Sequence, residues 1–279
     1  MSEDLLKYRR DVYTSTGNDG IIERIFQVLK LSQGIFVEFG ASDGISGCNC
    51  KKLYDEGWEG LFIEPKPERY QKLVQNYPAG DISLSNTSIG TTPGNTFDEI
   101  VGQFLNGAHI DFCSIDIDGL DLEIFETFKQ NLPTVVCIEG GQMLPPNHPR
   151  IPIKQAKHNI QQSLGVMVES FISRGYRVLC SYQDTFFIKQ EFFALFNVPV
   201  EIHELYFNGL RAIPHRIPFI HRFVTKVGLK NPIVKRVLKQ TQFQKYLWPK
   251  RKLWVKEKHN EIQQSINQEQ LAWSSSLGQ

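Results

Sequence analysis

The chain has 279 residues, 41% of them hydrophobic and 22% charged, with a formal net charge of +1. That length and balance suit one large globular domain, or one domain with an appendage, and exclude a disordered polyelectrolyte. No run of about eighteen uncharged apolar residues occurs, so a membrane-spanning helix is not expected. The near-neutral total conceals an asymmetry, because residues 1–210 carry 17 Lys and Arg against 27 acids whereas 211–258 carry 14 against Glu257 alone.

Met1 to Asp11 alternates charged with apolar residues and lacks the apolar core of a signal peptide. The cysteines number five, and Cys113, Cys137 and Cys180 fall in strand-like segments, as buried reduced thiols do. Cytoplasmic residence is the expectation. Cys48 and Cys50 form a lone Cys-x-Cys with no second pair at zinc-site spacing, which argues against a zinc centre.

Residues 1–33 read as a helical lead-in, with Asn18-Asp19-Gly20 as a turn and an amphipathic helix from Ile21 to Lys30. Ile35 to Phe39 is a short apolar run without helical period, the pattern of a parallel strand covered on both faces. Gly40 and Gly44 then bracket a tight loop in which glycine permits positive φ and close approach of a ligand to the main chain. A helix predicted from Ser46 to Glu56 would aim its free N–H groups over that loop. A dinucleotide fingerprint would need glycines where Ser42 and Ile45 stand, which disfavours a nicotinamide oxidoreductase. The acid two residues before Gly40 is Glu38; a carboxylate suits a ligand carrying an ammonium and repels a pyrophosphate.

A second strand, Leu61 to Glu64, precedes Pro65, Pro67 and a helix reaching Asn76. An acid at the end of this strand accepts hydrogen bonds from ribose hydroxyls in doubly wound folds, a role that Glu64 fits. Residues 82–89 read as a third strand whose end, at Ser88 and Ile89, would meet an adenine; a helix over Thr96 to Leu105 follows. The strand beginning at Ile110 delivers Asp116 and Asp118 to its end, where Gly119 turns the chain and Asp121 stands near a helix start. Clustered carboxylates repel one another unless a cation sits among them. Asp121 could equally cap its helix, and Asp118 could serve only to shape the turn.

A fifth strand over residues 134–138 ends at Glu139. The proline-rich loop from Gln142 to Pro152 contains His148, a residue type able to take a proton from an attacking hydroxyl. A helix from Leu164 to Arg174 and strands at Tyr176–Tyr182 and Thr185–Lys189 close the pattern.

Together the segments Val-Glu-Phe-Gly-Ala-Ser-Asp-Gly, Leu-Phe-Ile-Glu-Pro, Asn-Thr-Ser-Ile-Gly, Asp-Phe-Cys-Ser-Ile-Asp-Ile-Asp-Gly-Leu-Asp-Leu-Glu-Ile-Phe and Thr-Val-Val-Cys-Ile-Glu resemble the FkbM-type methyltransferases over about residues 34–190. The resemblance implies an α/β class: a doubly wound, seven-stranded, mostly parallel Rossmann-like sheet of the class I methyltransferase type over 34–210, using S-adenosylmethionine. It implies an enzyme that methylates hydroxyls of sugars, glycans or secondary metabolites. Glu38, Gly40, Ala41, Ser42, Asp43 and Gly44 would hold the methionine end, Glu64 and Pro65 the ribose, Ser88 and Ile89 the adenine, and Asp116 a cofactor ammonium. Asp116 and His148 are the catalytic candidates. Asp116, Asp118 and Glu139 are the candidates for binding magnesium, whose charge would lower the pKa of a sugar hydroxyl. Many relatives carry Glu where Asp118 stands, which points to a divergent subgroup.

Beyond that pattern, 211–258 reads as a basic amphipathic extension, helical from Pro232 to Trp248, with Tyr246, Trp248 and Trp254 among Lys250, Arg251 and Lys252. Such a stretch suits an anionic membrane surface at the inner face of the membrane. It also suits a contact within the protein or an oligomer, and nucleic acid least of the three. An inactive scaffold docked through this extension is the rival to an enzyme. Residues 259–279, rich in Gln and Ser, read as a disordered tail.

Overall fold

Alternation of short apolar runs with amphipathic segments builds a three-layer α/β/α structure. The computed structural model describes residues 4–78, 82–142, 144, 146–152 and 161–212. Its strands are β1 (Ile35–Phe39), β2 (Glu59–Ile63), β3 (Ser83–Ser85), β4 (Phe112–Ile115), β5 (Val135–Glu139), β6 (Tyr176–Ser181) and β7 (Asp184–Lys189). The helices are α1 (Asn18–Leu29), α2 (Lys51–Asp55), α3 (Pro67–Asn76), α4 (Phe97–Leu105), α5 (Asp121–Phe125), α6 (Leu164–Ile172), α7 (Gln190–Phe193) and α8 (Ile202–Ala212). The expected basic extension, beyond residue 212, and the expected tail lie outside the described residues.

The seven strands form one sheet in the order β3-β2-β1-β4-β5-β7-β6. β1 to β5 run parallel, and β7 is inserted antiparallel between β5 and β6. This is the class I methyltransferase form of the Rossmann-like sheet, closed by a hairpin in place of a sixth parallel strand. Alternate residues of the strands face opposite layers. Val37, Phe39, Leu61, Ile63, Cys113, Ile115, Val136 and Ile138 share a buried core with Phe97 and Ile100 of α4, Phe125 of α5 and Met167 and Phe171 of α6. Phe36, Phe62 and Phe112 turn the other way, where Phe26 of α1 meets Phe112 at 5.9 Å between ring centroids and Tyr77, just after α3, meets Phe62 at 5.1 Å.

Three expectations are corrected. Asn18-Asp19-Gly20 is the first turn of α1, because Gly17 takes the positive φ (92°) and Asp19 spends its carboxylate on the preceding segment. Asp19 Oδ2 accepts from the amides of Val12, Tyr13 and Thr14 at 2.8, 3.0 and 2.8 Å. The third strand stops at Ser85, since Asn86 donates its Nδ2 sideways to the Glu64 carbonyl instead of continuing the ladder. The helix predicted from Ser46 begins only at Lys51, for a reason that belongs to the site.

The core on the α6 side is aromatic. Phe125, Phe171 and Phe187 stack with successive centroid separations of 3.6 Å, tying α5 and α6 to β7. Phe171 is fully buried, so Phe171→Ala removes the middle ring and leaves a cavity. The expected cost is about 3–5 kcal/mol in urea unfolding, whereas a cost under about 1 kcal/mol would show that the stack collapses to fill the gap.

Candidate functional site

In an open α/β sheet the crevice lies at the carboxyl ends of the strands where strand order reverses, here between β1 and β4. Gly40 and Gly44 have φ of +71° and +74°, and Ser42 is left-handed as well at +54°. A Cβ on Gly40 would lie 2.1 Å from the Asp116 carbonyl oxygen, so glycine is what lets the ends of β1 and β4 close together. A Cβ on Gly44 would lie 2.4 Å from the Tyr77 ring and 2.6 Å from Leu73. Protein, not ligand, therefore occupies the space that Gly44 leaves, which corrects the expectation of ligand access there.

Most of the loop's amides have protein acceptors. Gly40 and Ala41 donate to the Ile63 carbonyl, Ile45 and Ser46 to Asp43 Oδ1, and Gly47 to the Tyr13 carbonyl. Ser42 donates to Glu64 Oε2 at 2.9 Å. Asn49 and Cys50 donate to the two oxygens of Glu38, each at 2.9 Å, and the Cys48 thiol donates to Glu38 as well, at 2.9 Å. Capture of residues 48–50 by Glu38 delays the helix to Lys51 and takes up the amides of Asn49 and Cys50. Burial pushes the Glu38 carboxyl up from its ordinary range, while the thiol and the two amides pull it back. Burial also pushes the Cys48 thiol well up, which keeps it protonated and so a donor.

Glu38 is 4% exposed, and Glu64, just past β2, is 1% exposed. Glu64 Oε1 accepts from the Lys66 amide at 2.8 Å, so both of its oxygens also bind backbone. These two acids, expected to face the cofactor, build the walls of the crevice. Ala41 is buried, Ser42 and Asp43 are half-buried, and Pro65 is exposed beside them. Ser88 is exposed and Ile89 half-buried against the core, both on the loop between β3 and α4.

The other wall is chemical in character. Oxygens of Asp116, Asp118 and Glu139 lie within 4.8 Å of one another. Asp118 has φ +62°, and the turn around it is held by Asp121, which is fully buried and accepts from the amides of Ile117 and Gly119 at 2.8 and 2.9 Å. Asp121 thus ties the turn upstream of α5 rather than capping the helix. Gln161 donates to Glu139 at 2.6 Å, and Asp184 stands opposite Glu139 in the register of β5 and β7. Among the described residues, Asp116, Asp118 and Glu139 form no ion pair.

Asp116 opens to water at the mouth but sits in a recess ringed by protein. Desolvation there, followed by the charges of Glu139, Asp184, Asp121 and Asp118, pushes its carboxyl up to about 8. Desolvation and then the charges of Asp121 and Asp184 push Glu139 up to about 7, against the opposing bond from Gln161.

His148 is 9% exposed, with Nδ1 2.7 Å from the Pro149 carbonyl. A carbonyl only accepts, so Nδ1 carries the proton. Ser163 donates to the His148 carbonyl at 2.7 Å, and no hydrogen bond among the described residues joins the ring to Asp116, Asp118 or Glu139. The expected open rim histidine is instead packed into its own segment. Residues that the sequence pattern did not single out are Asn18, Asn49, Gln161 and Asp184. Asp184 passes for a hairpin residue and Asn18 for a turn residue until their partners, far away in sequence, are seen.

No protein-family model and no curated protein matches the sequence. Solved structures with a similar course include a TehB-like S-adenosylmethionine-dependent methyltransferase from Corynebacterium glutamicum, 11% identical over 64% of this chain and 89% of that one, TM-score 0.38. A Leishmania major S-adenosylmethionine-dependent methyltransferase is 15% identical over 66% of this chain and 80% of that one, TM-score 0.36. A pericyclic reaction enzyme is 14% identical over 60% of this chain and 47% of that one, TM-score 0.39. Likenesses this distant concern the fold and not the chemistry.

The carboxyls of Asp116 and Glu139 have pKa values raised above those of the unfolded chain, so the native state holds protons more tightly and stability falls as pH rises from about 4 toward 8. Asp116→Asn removes one uncompensated charge. In chelator at pH 8 it should raise Tm by about 2–4 °C, equivalent to roughly 1 kcal/mol once solvent screening is allowed for, and the gain should shrink by pH 5. A variant less stable than wild type at pH 8 would mean that Asp116 has a favourable partner in the native chain.

Proposed function

We propose that the chain is an S-adenosylmethionine-dependent methyltransferase acting on a hydroxyl of a sugar, a glycan or a secondary metabolite, in the manner of the FkbM-type family. The observation that carries the cofactor is the charge of the crevice: Asp116, Asp118 and Glu139 gather at its mouth without an ion pair among the described residues, while most amides of the β1 loop are bound to protein acceptors. A crevice of that kind attracts a ligand bearing ammonium and sulfonium charges. Its acids set a negative field against a pyrophosphate, which disfavours a nicotinamide cofactor.

The residues present fit the cofactor by charge, with Asp116 proposed to meet its ammonium. When bound, S-adenosylmethionine supplies a methyl group already activated on sulfur. The chain's part is to align the acceptor hydroxyl and receive its proton. Asp116 and Glu139, held near neutrality, suit proton acceptance better than ordinary carboxylates do. The same three carboxylates suit magnesium, which takes one or two carboxylates and keeps several waters. No helix among the described residues is long and apolar enough to cross a membrane. Cytoplasmic residence, with the basic stretch 211–258 as a contact with anionic lipid, is part of the proposal.

Calorimetric titration with S-adenosylhomocysteine tests the cofactor before any acceptor is known. Micromolar binding is expected, with none for NAD. Binding that survives chelator assigns the acids to the cofactor or proton, whereas binding lost with chelator and restored by magnesium assigns them to the metal. Affinity for NAD and none for S-adenosylhomocysteine would overturn the proposal.

A further inference from the structure

A chain of buried side-chain amides runs beneath the crevice, and the chemistry described so far does not use it. Asn18, the first residue of α1, is 2% exposed and Asn49 is 7% exposed. Asn18 Nδ2 donates to Asp184 Oδ2 and to Asn49 Oδ1, each at 2.8 Å, and Asn18 Oδ1 accepts from the Tyr182 hydroxyl. Asn49 Nδ2 donates to Ser114 Oγ on β4 at 2.9 Å, while the Asn49 amide donates to Glu38 on β1. Thr16 Oγ1 reaches the same Asp184 oxygen at 3.5 Å.

The polarity of this chain is forced. The Asp184 carboxylate only accepts, so the nitrogen of Asn18 must face it. Both hydrogens of that nitrogen are then used, on Asp184 and on Asn49, which obliges Asn49 to present its oxygen to Asn18 and its nitrogen to Ser114. No member can rotate without leaving buried polar atoms unpaired, at a cost that a fully satisfied network avoids. Four parts of the fold meet in it: the start of α1, the loop after β1, the end of β4 and the start of β7.

We propose that Asn18 and Asn49 are positioning residues of the crevice: their buried amide chain from Asp184 to Ser114 and Glu38 fixes the 48–50 loop against the end of β4 and the start of β7, in the arrangement that receives the cofactor. The proposal rests on the methyltransferase reading for its ligand, but not for its geometry. The start of α1 is accordingly a working part of the site.

The test uses the full chain and two readouts. Asn18→Ala and Asn49→Ala should each weaken S-adenosylhomocysteine binding by at least about tenfold in calorimetry. In timed alkylation followed by peptide mapping, Cys48 and Cys50, both buried in the wild type, should label at least about tenfold faster, while Cys137 in the middle of the sheet keeps its rate. The double variant should be little worse than either single one, because each cuts the same chain. Should either substitution prevent folding, Ser114→Ala removes only the last bond and should show the same selective labelling more weakly. Unchanged affinity with Cys48, Cys50 and Cys137 labelling in parallel would overturn the proposal. Were the wild type itself not to bind S-adenosylhomocysteine, the cofactor reading would fall, and the labelling ratio would still decide the role of the amide chain.

Discussion

The structure depends on the burial of the Glu38 carboxylate near the end of β1, where it gathers the Cys48 thiol and the amides of Asn49 and Cys50. A carboxylate taken out of water is costly, and hydrogen bonds to the charged form offset that cost only when several converge. The device recurs. Asp19 gathers residues 12–14, Glu64 gathers Ser42 and Lys66, Asp98 gathers Lys129 and Asn131, and Asp121 gathers Ile117 and Gly119. Each fixes a loop that has no regular ladder of its own. Once these acids are committed to the backbone, Asp116, Asp118 and Glu139 remain at the mouth with no backbone amide and no ion pair on their carboxylates among the described residues.

Desolvation first, and then the charges of neighbouring acids, raise the pKa values of Asp116 and Glu139. Their neighbours are negative groups held in place by the fold, so relief must come from protons or from a cationic ligand. The class I sheet alone leaves the reaction open, since one fold hosts many chemistries. In the proposed function, the gathering of acids at the crevice is what favours a cation-bearing cofactor.

Periodicity made most of the sheet legible. β1 occupies the residues its apolar run predicts, and the hairpin of β6 and β7 follows α6 as expected. The errors arose where a side chain outbid the backbone pattern: Glu38 shortened α2, Asn86 ended β3, and Asp19 turned an Asn-Asp-Gly sequence into a helix start. The site was legible as a set of acids but not in its division of labour. A sequence shows that Glu38 and Asp116 stand at strand ends. It does not show that distant amides converge on the first and not on the second, nor that Asn18 and Asp184 meet across the fold.

The most direct test of the account is photochemical cross-linking of methyl-tritiated S-adenosylmethionine to the intact protein, with the labelled peptides mapped. The account predicts label in the loops after β1, β2 and β4, including the segment 116–118, and its loss when S-adenosylhomocysteine is present in excess. Label elsewhere, or label displaced by NAD and not by S-adenosylhomocysteine, would contradict it.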